Sequence, residues 1–236
     1  VFPLRLLKFA FALLASVIAM PALAQESGGL SSSAISRCAG KAGTEMRQAD
    51  PAFGVIALDG IPWVTVERTE EKVGTQPIST TVTGTGARRR RDGTSVPFRF
   101  TCVLNTKGEA LMFHTSRLLT RMRDELPPSN FVEGSATYVE KMAPPRGLEL
   151  RVQLLDISKP SNAEVLTEQV VRTGWHVPIP FFLRLPKDTS FEGRKLVIGA
   201  RMVLAHQTLF ELKEPRGISS ADLANSVDVT LVKVQK

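Results

Sequence analysis

Between Phe131 and Leu185 the chain alternates apolar and polar residues in two runs that flank Pro144-Pro145, and it then closes on Val177-Pro178-Ile179-Pro180-Phe181. Val132, Gly134, Ala136 and Tyr138 share one side of the first run. Leu148, Leu150, Val152 and Leu154 share one side of the second, with Glu149, Arg151 and Gln153 opposite. A period of two is that of a strand with one buried face, and no helical period competes with it. Leu196, Ile198, Ala200, Met202 and Leu204 repeat the pattern, as do Val227, Val229 and Leu231. Strands at this spacing predict an antiparallel β-sandwich over residues 131–236. Pro178 and Pro180 each lack a backbone donor, so their strand is expected at a sheet edge or with its N–H side facing outward.

The first half of the chain reads as a smaller α+β unit over residues 34–115. One of Ser31, Ser32 or Ser33 can cap a helix that runs to about Gln48. Ile35, Cys38, Ala39, Ala42 and Met46 fall near one face of it. Asp50-Pro51 stops the helix. Residues 62–68, 78–86 and 96–104 alternate as strands, and residues 109–114 follow a tight Asn105-Thr106-Lys107-Gly108 turn as the second arm of a hairpin. Residues 25–33 are rich in Ser and Gly and read as a flexible lead-in. Residues 116–130 read as a linker, with a short charged helix from Ser116 and a Pro127-Pro128 boundary. The fold class expected is therefore mainly β: an N-terminal α+β unit, then an antiparallel sandwich.

Ahead of both units, Arg5 and Lys8 precede the apolar run Phe9 to Met20, and Pro21 precedes Ala22-Leu23-Ala24. Basic, apolar and small-residue segments in that order predict a secretory signal over residues 1–24, cleaved after Ala24. The apolar run is shorter than the ~20 residues that cross a hydrocarbon core. Export makes the only two cysteines, Cys38 and Cys102, partners for a disulfide rather than a pair of buried thiols. Closing that loop contributes roughly 4 kcal/mol in the chain-entropy view. Neither cysteine has CxxC spacing, so neither a redox motif nor a zinc site is expected. The net charge of +7 includes the two basic residues of the leader, and with one Tyr and two Trp it argues against nucleic acid as a partner.

The motifs of the second half carry a resemblance. Val132-x-Gly134-x-Ala136-x-Tyr138, Ala143-Pro144-Pro145, Leu150-x-Val152-x-Leu154-x-Asp156-Ile157-Ser158 and Val177-Pro178-Ile179-Pro180-Phe181 occur in that order. Over residues 131–236 the chain resembles the periplasmic YbaY-type lipoproteins, related to the YscW-type pilotin chaperones of type III secretion. The resemblance implies a small β-sandwich in the cell envelope and, for the pilotin members, help in placing an outer-membrane secretin. Those members are typically lipid-anchored. Here Cys38 follows Arg37 and lies far beyond the apolar run, so no lipobox is read, and a periplasmic protein without lipid anchor or transmembrane helix is expected.

Two surfaces are candidates for binding. Trp175, Val177, Pro178, Ile179, Pro180 and Phe182 form an aromatic edge strand that a partner strand could extend, or else ordinary sandwich core. Arg88, Arg89, Arg90 and Arg91, ahead of Asp92-Gly93, read as a hairpin tip. Four guanidinium groups there would meet phosphate or carboxylate, or simply solvate a loop. Catalysis finds no support. His114, His176 and His206 are scattered, no Gly-x-Ser-x-Gly elbow exists, and Gly134-Ser135 lies within a strand pattern. The run Thr83-Gly84-Thr85-Gly86 opens no helix, and Asp156 is placed to cap the turn at Ser158. The expectation is a non-enzymatic envelope protein with no metal and no cofactor. It would bind an envelope protein, such as a secretin-like subunit, as an assembly chaperone or accessory subunit. The alternative is a module for anionic envelope ligands, with contact to the membrane surface, using the arginine run.

Overall fold

The computed structural model describes residues 23–49, 52–90, 94–117, 131–140, 142–159, 162–173 and 177–235. The expected leader falls mostly outside them, as do most of the expected linker, Arg91, Trp175 and His176.

Helix α1 spans Leu23–Ala49. It starts well before the Ser31 to Ser33 cap and takes in the stretch expected to be flexible. Leu-Ala-Gln-Glu at its start are good helix formers, and extending a formed helix costs far less than nucleating one. Ile35, Cys38, Ala39, Ala42 and Met46 fall at i, i+3, i+4, i+7 and i+11 and are all buried. They pack on Ile56, Leu58, Val82, Phe98, Phe100, Phe113 and Val170.

Five strands follow: β1 (Phe53–Asp59), β2 (Val64–Val73), β3 (Gln76–Arg90), β4 (Ser95–Asn105) and β5 (Ala110–Arg117). The disulfide Cys38–Cys102 ties α1 to β4. The expected hairpin of residues 96–114 is present as β4–β5, with Gly108 at φ +73° in the turn. Strand β3 is longer than expected. It pairs with β2 along its first half, with β1 along its second, and with β4 along nearly its whole length.

The second half supplies β6 (Phe131–Tyr138), β7 (Glu149–Asp156), β8 (Glu164–Thr173), β9 (Ile179–Arg184), β10 (Leu196–Leu204), β11 (Gln207–Glu211), β12 (Arg216–Gly217) and β13 (Val227–Lys233). The strand order is β5-β4-β3-β1-β8-β7-β10-β11-β13-β6-β9, with β2 on β3 and β12 on β10. Pairing is antiparallel except between β13 and β6, which run parallel from Val227↔Gly134 to Leu231↔Tyr138. The sheet folds over so that β6, β9 and β13 face β7, β8 and β10. Leu150, Val152, Leu154, Phe181, Leu183, Ile198 and Leu231 fill the space between and are fully buried. Each such side chain contributes roughly 1.5–3 kcal/mol when taken from water. Gly134 is required here, because a Cβ at that position would lie 2.0 Å from the Val227 carbonyl oxygen.

The two halves are joined by main-chain hydrogen bonding. Strand β1 pairs with β3 on one side and with β8 on the other, from Val55↔Thr173 to Asp59↔Gln169. Ile56 and Leu58 face the helix and Ala57 faces the sandwich core. Helix α1 also covers the outer side of β7 and β8. Glu149 and Arg151, on the polar face of β7, are 3% and 8% exposed beneath it. Arg151 holds Glu149 at 2.9 Å, Arg172 approaches Glu149 at 3.3 Å, and the Ser36 hydroxyl donates to Glu149. The Ser32 hydroxyl accepts a hydrogen bond from Arg151. Burial pushes the Glu168 carboxyl up, against the pull of Arg151, and pushes the Arg172 guanidinium down.

Candidate functional site

Strand β9 ends the sheet order, so the proline-marked strand is an edge strand. Its side chains divide by parity. Ile179, Phe181 and Leu183 point into the sandwich and are fully buried. Val177 packs against that core, while Pro180, Phe182 and Arg184 lie on the outer face and Pro178 is exposed. Of the expected edge residues, Ile179 is therefore core, and Pro178, Pro180 and Phe182 remain available to a partner.

The outward main chain of β9 is not free to accept a strand. Gln169 of β8 reaches across with both ends of its amide. Its Nε2 donates to the Phe182 carbonyl at 2.7 Å, and the Phe182 N–H donates to its Oε1 at 2.9 Å. Pro180 is two residues away on the same side and has no N–H to offer. The Trp63 indole points at the Arg184 carbonyl from 3.4 Å. A partner strand would find one position without a donor and the next already paired, so this edge presents side chains rather than a ladder.

Gln169 is anchored in turn. Its Nε2 lies 3.2 Å from Asp59 Oδ1, and the Thr85 hydroxyl donates to Asp59 Oδ2 at 2.6 Å. Burial raises the Asp59 pKa, and the Thr85 bond, the nearby Arg184 charge and the Gln169 bond oppose that rise. Four strands, β1, β3, β8 and β9, thus meet in one buried polar cluster. The Asp59–Gln169 part of it went unseen in the sequence, where Gln169 is one polar residue ahead of Val170-Val171.

Of the arginine run, Arg88, Arg89 and Arg90 are the last residues of β3, leading to the turn before β4, and Arg91 lies outside the described residues. Arg88, Arg89 and Arg90 pair with Ile56, Val55 and Phe53 of β1. Arg88 and Arg89 also pair with Val96 and Ser95 of β4. Neighbouring residues of a strand point to opposite faces, so the guanidinium groups do not converge on one anion. Arg89 instead meets the edge strand, its guanidinium 4.9 Å from the centre of the Phe182 ring. Arg184 lies 4.7 Å from the Trp63 ring and 5.7 Å from that of Phe131. The cation–π contact is worth about 0.5–1 kcal/mol where solvent reaches it. Arg89 and Phe182, read from the sequence as parts of separate surfaces, are thus in contact.

A groove of about 370 Å³ lies over this face, lined by Arg89, Glu133, Pro180, Phe182, Asn225 and Asp228 among others. Its far wall is the 3-10 turn Ser220–Leu223 and the residues after it. Asp228 accepts from the Ser135 hydroxyl at 2.8 Å and the Ser135 N–H at 3.1 Å, which helps hold its carboxyl below the usual range. The groove lining carries Arg89 and two carboxylates, Glu133 and Asp228, beside the apolar surface of Phe182 and Pro180. That combination suits a peptide surface with mixed polarity.

Among the described residues the histidines and Asp156 do not come together in one site. His114 is exposed on β5, and His206 sits at φ 68° in the β10–β11 turn beside Ala205 at φ 47°. Asp156 caps its turn through the Ser158 hydroxyl and N–H and binds Arg194 at 2.6 Å, which lowers its pKa to about 2. Among the described residues no group of three or more His, Cys, Asp or Glu side chains could hold a metal ion. Among them, too, no helix is long and apolar enough to cross a membrane.

Residues 127–231 match the family model described as type III secretion system lipoprotein chaperone (YscW). The chain is homologous to that family over this segment, which takes in the sandwich and leaves α1 and β1 to β5 outside. Among solved structures the chain is similar to an alternative pilotin from the type II secretion system of Vibrio cholerae, at 21% identity and a TM-score of 0.42, covering 46% of this chain and 100% of that one. A search of curated proteins found no match.

Proposed function

We propose that this protein works in the periplasm, where its sandwich docks a partner during assembly of an outer-membrane complex. Its role is that of an assembly chaperone or accessory subunit without catalytic activity, and the partner is a secretin-like subunit. The observation that carries this reading is the homology of residues 127–231 to a secretion chaperone family. The groove over β6 and β9 supports docking there, since it joins an aromatic ring, a proline and charges of both signs on a rigid sheet. Docking proceeds through side chains, with Phe182 and Pro180 as the apolar centre and Arg89 and Glu133 as the polar rim. The anion-binding alternative is the weaker one, because Arg88 and Arg89 diverge on opposite faces of β3.

The test is affinity capture of a candidate secretin subunit from solution by purified protein and by its Phe182→Ala and Arg89→Ser variants. Both variants should fold, as Phe182 and Arg89 lie on the outer face. Loss of capture by Phe182→Ala of at least about tenfold supports the reading. Equal capture by all three proteins, or no capture by any, counts against it.

A further inference from the structure

Val82 of β3, Cys102 of β4 and Phe113 of β5 point toward α1, so their neighbours along each strand point to the other side of the sheet. On that side the strand registers line residues up in rows. Thr65, Thr83, Thr101 and His114 form one row across β2, β3, β4 and β5. Thr85, Arg99 and Ser116 form the next. These residues, with Trp63 just ahead of β2, line a groove of about 370 Å³, and every residue of its lining is among those described. The lining contains no Asp or Glu. Arg99 and His114 are exposed and are diagonal neighbours on paired strands, close enough for one carboxylate to meet both. Arg184 reaches to 3.5 Å from the Thr85 hydroxyl and adds positive charge at that end. Glu67, the next residue on this face of β2, stands outside the lining and on the side away from Arg99.

The geometry points to a saccharide site in this groove, for a sugar that carries a carboxylate. Arg99 and His114 meet the carboxylate, and the threonine row meets hydroxyls of the ring. Charge complementarity selects an anion, since the lining offers cations and no carboxylate. The hydroxyls select a sugar over a bare anion. A threonine hydroxyl both donates and accepts, as a sugar hydroxyl does, whereas a carboxylate or phosphate oxygen only accepts. Strand spacing sets Thr65, Thr83 and Thr101 about 4.8 Å apart, which is comparable with the span of one pyranose ring. The site lies outside residues 127–231 and shares no lining residue with the groove over β6 and β9, so it stands independently of the docking reading.

The test is a titration of the isotope-labelled full chain, followed by amide chemical shifts, with glucuronate, glucose and acetate as probes. Glucuronate has both ring and carboxylate, glucose the ring alone and acetate the carboxylate alone. Glucuronate should shift amides of β3 and β4 around Thr83 and Thr101, and it should bind at least about tenfold more tightly than glucose or acetate. Arg99→Gln should weaken glucuronate about tenfold and leave glucose unchanged. Thr83→Val should weaken glucuronate and leave acetate unchanged. Arg99 and Thr83 are both exposed, so the amide spectra of these variants should match wild type away from the groove. Equal affinity for glucuronate and acetate would reduce the groove to an anion contact and overturn the inference. So would the lack of a saturable shift with glucuronate, or an Arg99→Gln variant that binds it as wild type does.

Discussion

Replacing Gln169 with Ala tests how the edge at β9 is closed. Gln169 is 2% exposed and its amide makes three contacts: the Phe182 carbonyl at 2.7 Å, the Phe182 N–H at 2.9 Å and Asp59 at 3.2 Å. Each intact hydrogen bond is worth about 1 kcal/mol net, and a buried group left without a partner costs about 1–3 kcal/mol. Asp59 keeps the Thr85 hydroxyl and is only partly orphaned, whereas both main-chain groups of Phe182 lose their side-chain partner. The expected loss is about 3 kcal/mol, a large share of the ~5–15 kcal/mol that holds a typical domain together. Urea unfolding followed by tryptophan fluorescence gives the number directly. Gln169→Glu keeps the acceptor for the Phe182 N–H but loses both donated bonds and sets a second carboxylate beside Asp59. It should be the less stable of the two variants at neutral pH, with the gap narrowing in acid. A loss below about 1 kcal/mol for Gln169→Ala would refute the reasoning, since it would mean that water replaces the amide freely and the edge is open.

Three further perturbations follow from the same contacts. Asp59 has a folded pKa above its unfolded value of 3.8, so its contribution to stability is fully present below pH 3.8 and lost as pH rises through the folded pKa. Wild type should therefore gain stability relative to Asp59→Asn as pH falls toward 3.8 in paired urea titrations, and a wild type that loses stability relative to the variant on acidification would contradict the burial. Gly134→Ala would set a Cβ 2.0 Å from the Val227 carbonyl oxygen and 2.7 Å from the Phe181 ring, forcing β6 and β13 apart. Overpacking of this kind costs about 1–3 kcal/mol or more, read as a lowered urea midpoint, and a neutral result would mean that the parallel pair is not close-packed. Replacing Cys38 and Cys102 together with Ser should cost up to about 4 kcal/mol, measured as the stability difference from the oxidised protein.

What the sequence made legible tracks which faces of each strand are buried. Strands β6, β7, β10 and β13 bury one side chiefly in the sandwich, and their apolar residues fall at alternate positions. Strand β1, Phe-Gly-Val-Ile-Ala-Leu-Asp, was not anticipated, because Ile56 and Leu58 are buried under the helix while Ala57 is buried in the sandwich. Strand β8 escaped for the same reason: Val170 and Val171 are adjacent and both fully buried, in different cores. Apolar side chains on both faces erase the period of two, whereas β7, covered on both faces too, keeps it because its helix side carries Glu149 and Arg151. Strands β1 and β8 are the pair that joins the halves, so their connection was not readable either. The arginines were read as a tip because they lie between two strand patterns, whereas β3 runs on through Arg90. Phe182 was a candidate edge residue with sandwich core as the alternative, and its partner Arg89 lies on a strand far away in sequence, so only the fold brings them together.

Docking of an envelope partner at the β6–β9 face is tested most directly by photo-crosslinking in cells. A photoreactive residue at Glu133, in the groove, should yield one adduct, identified by mass spectrometry as a secretin-type subunit. The same residue at Glu70 on β2, exposed and away from the groove, should yield none. Adducts of the same subunit from both positions, or none from Glu133 with the protein present at normal levels, would contradict the account.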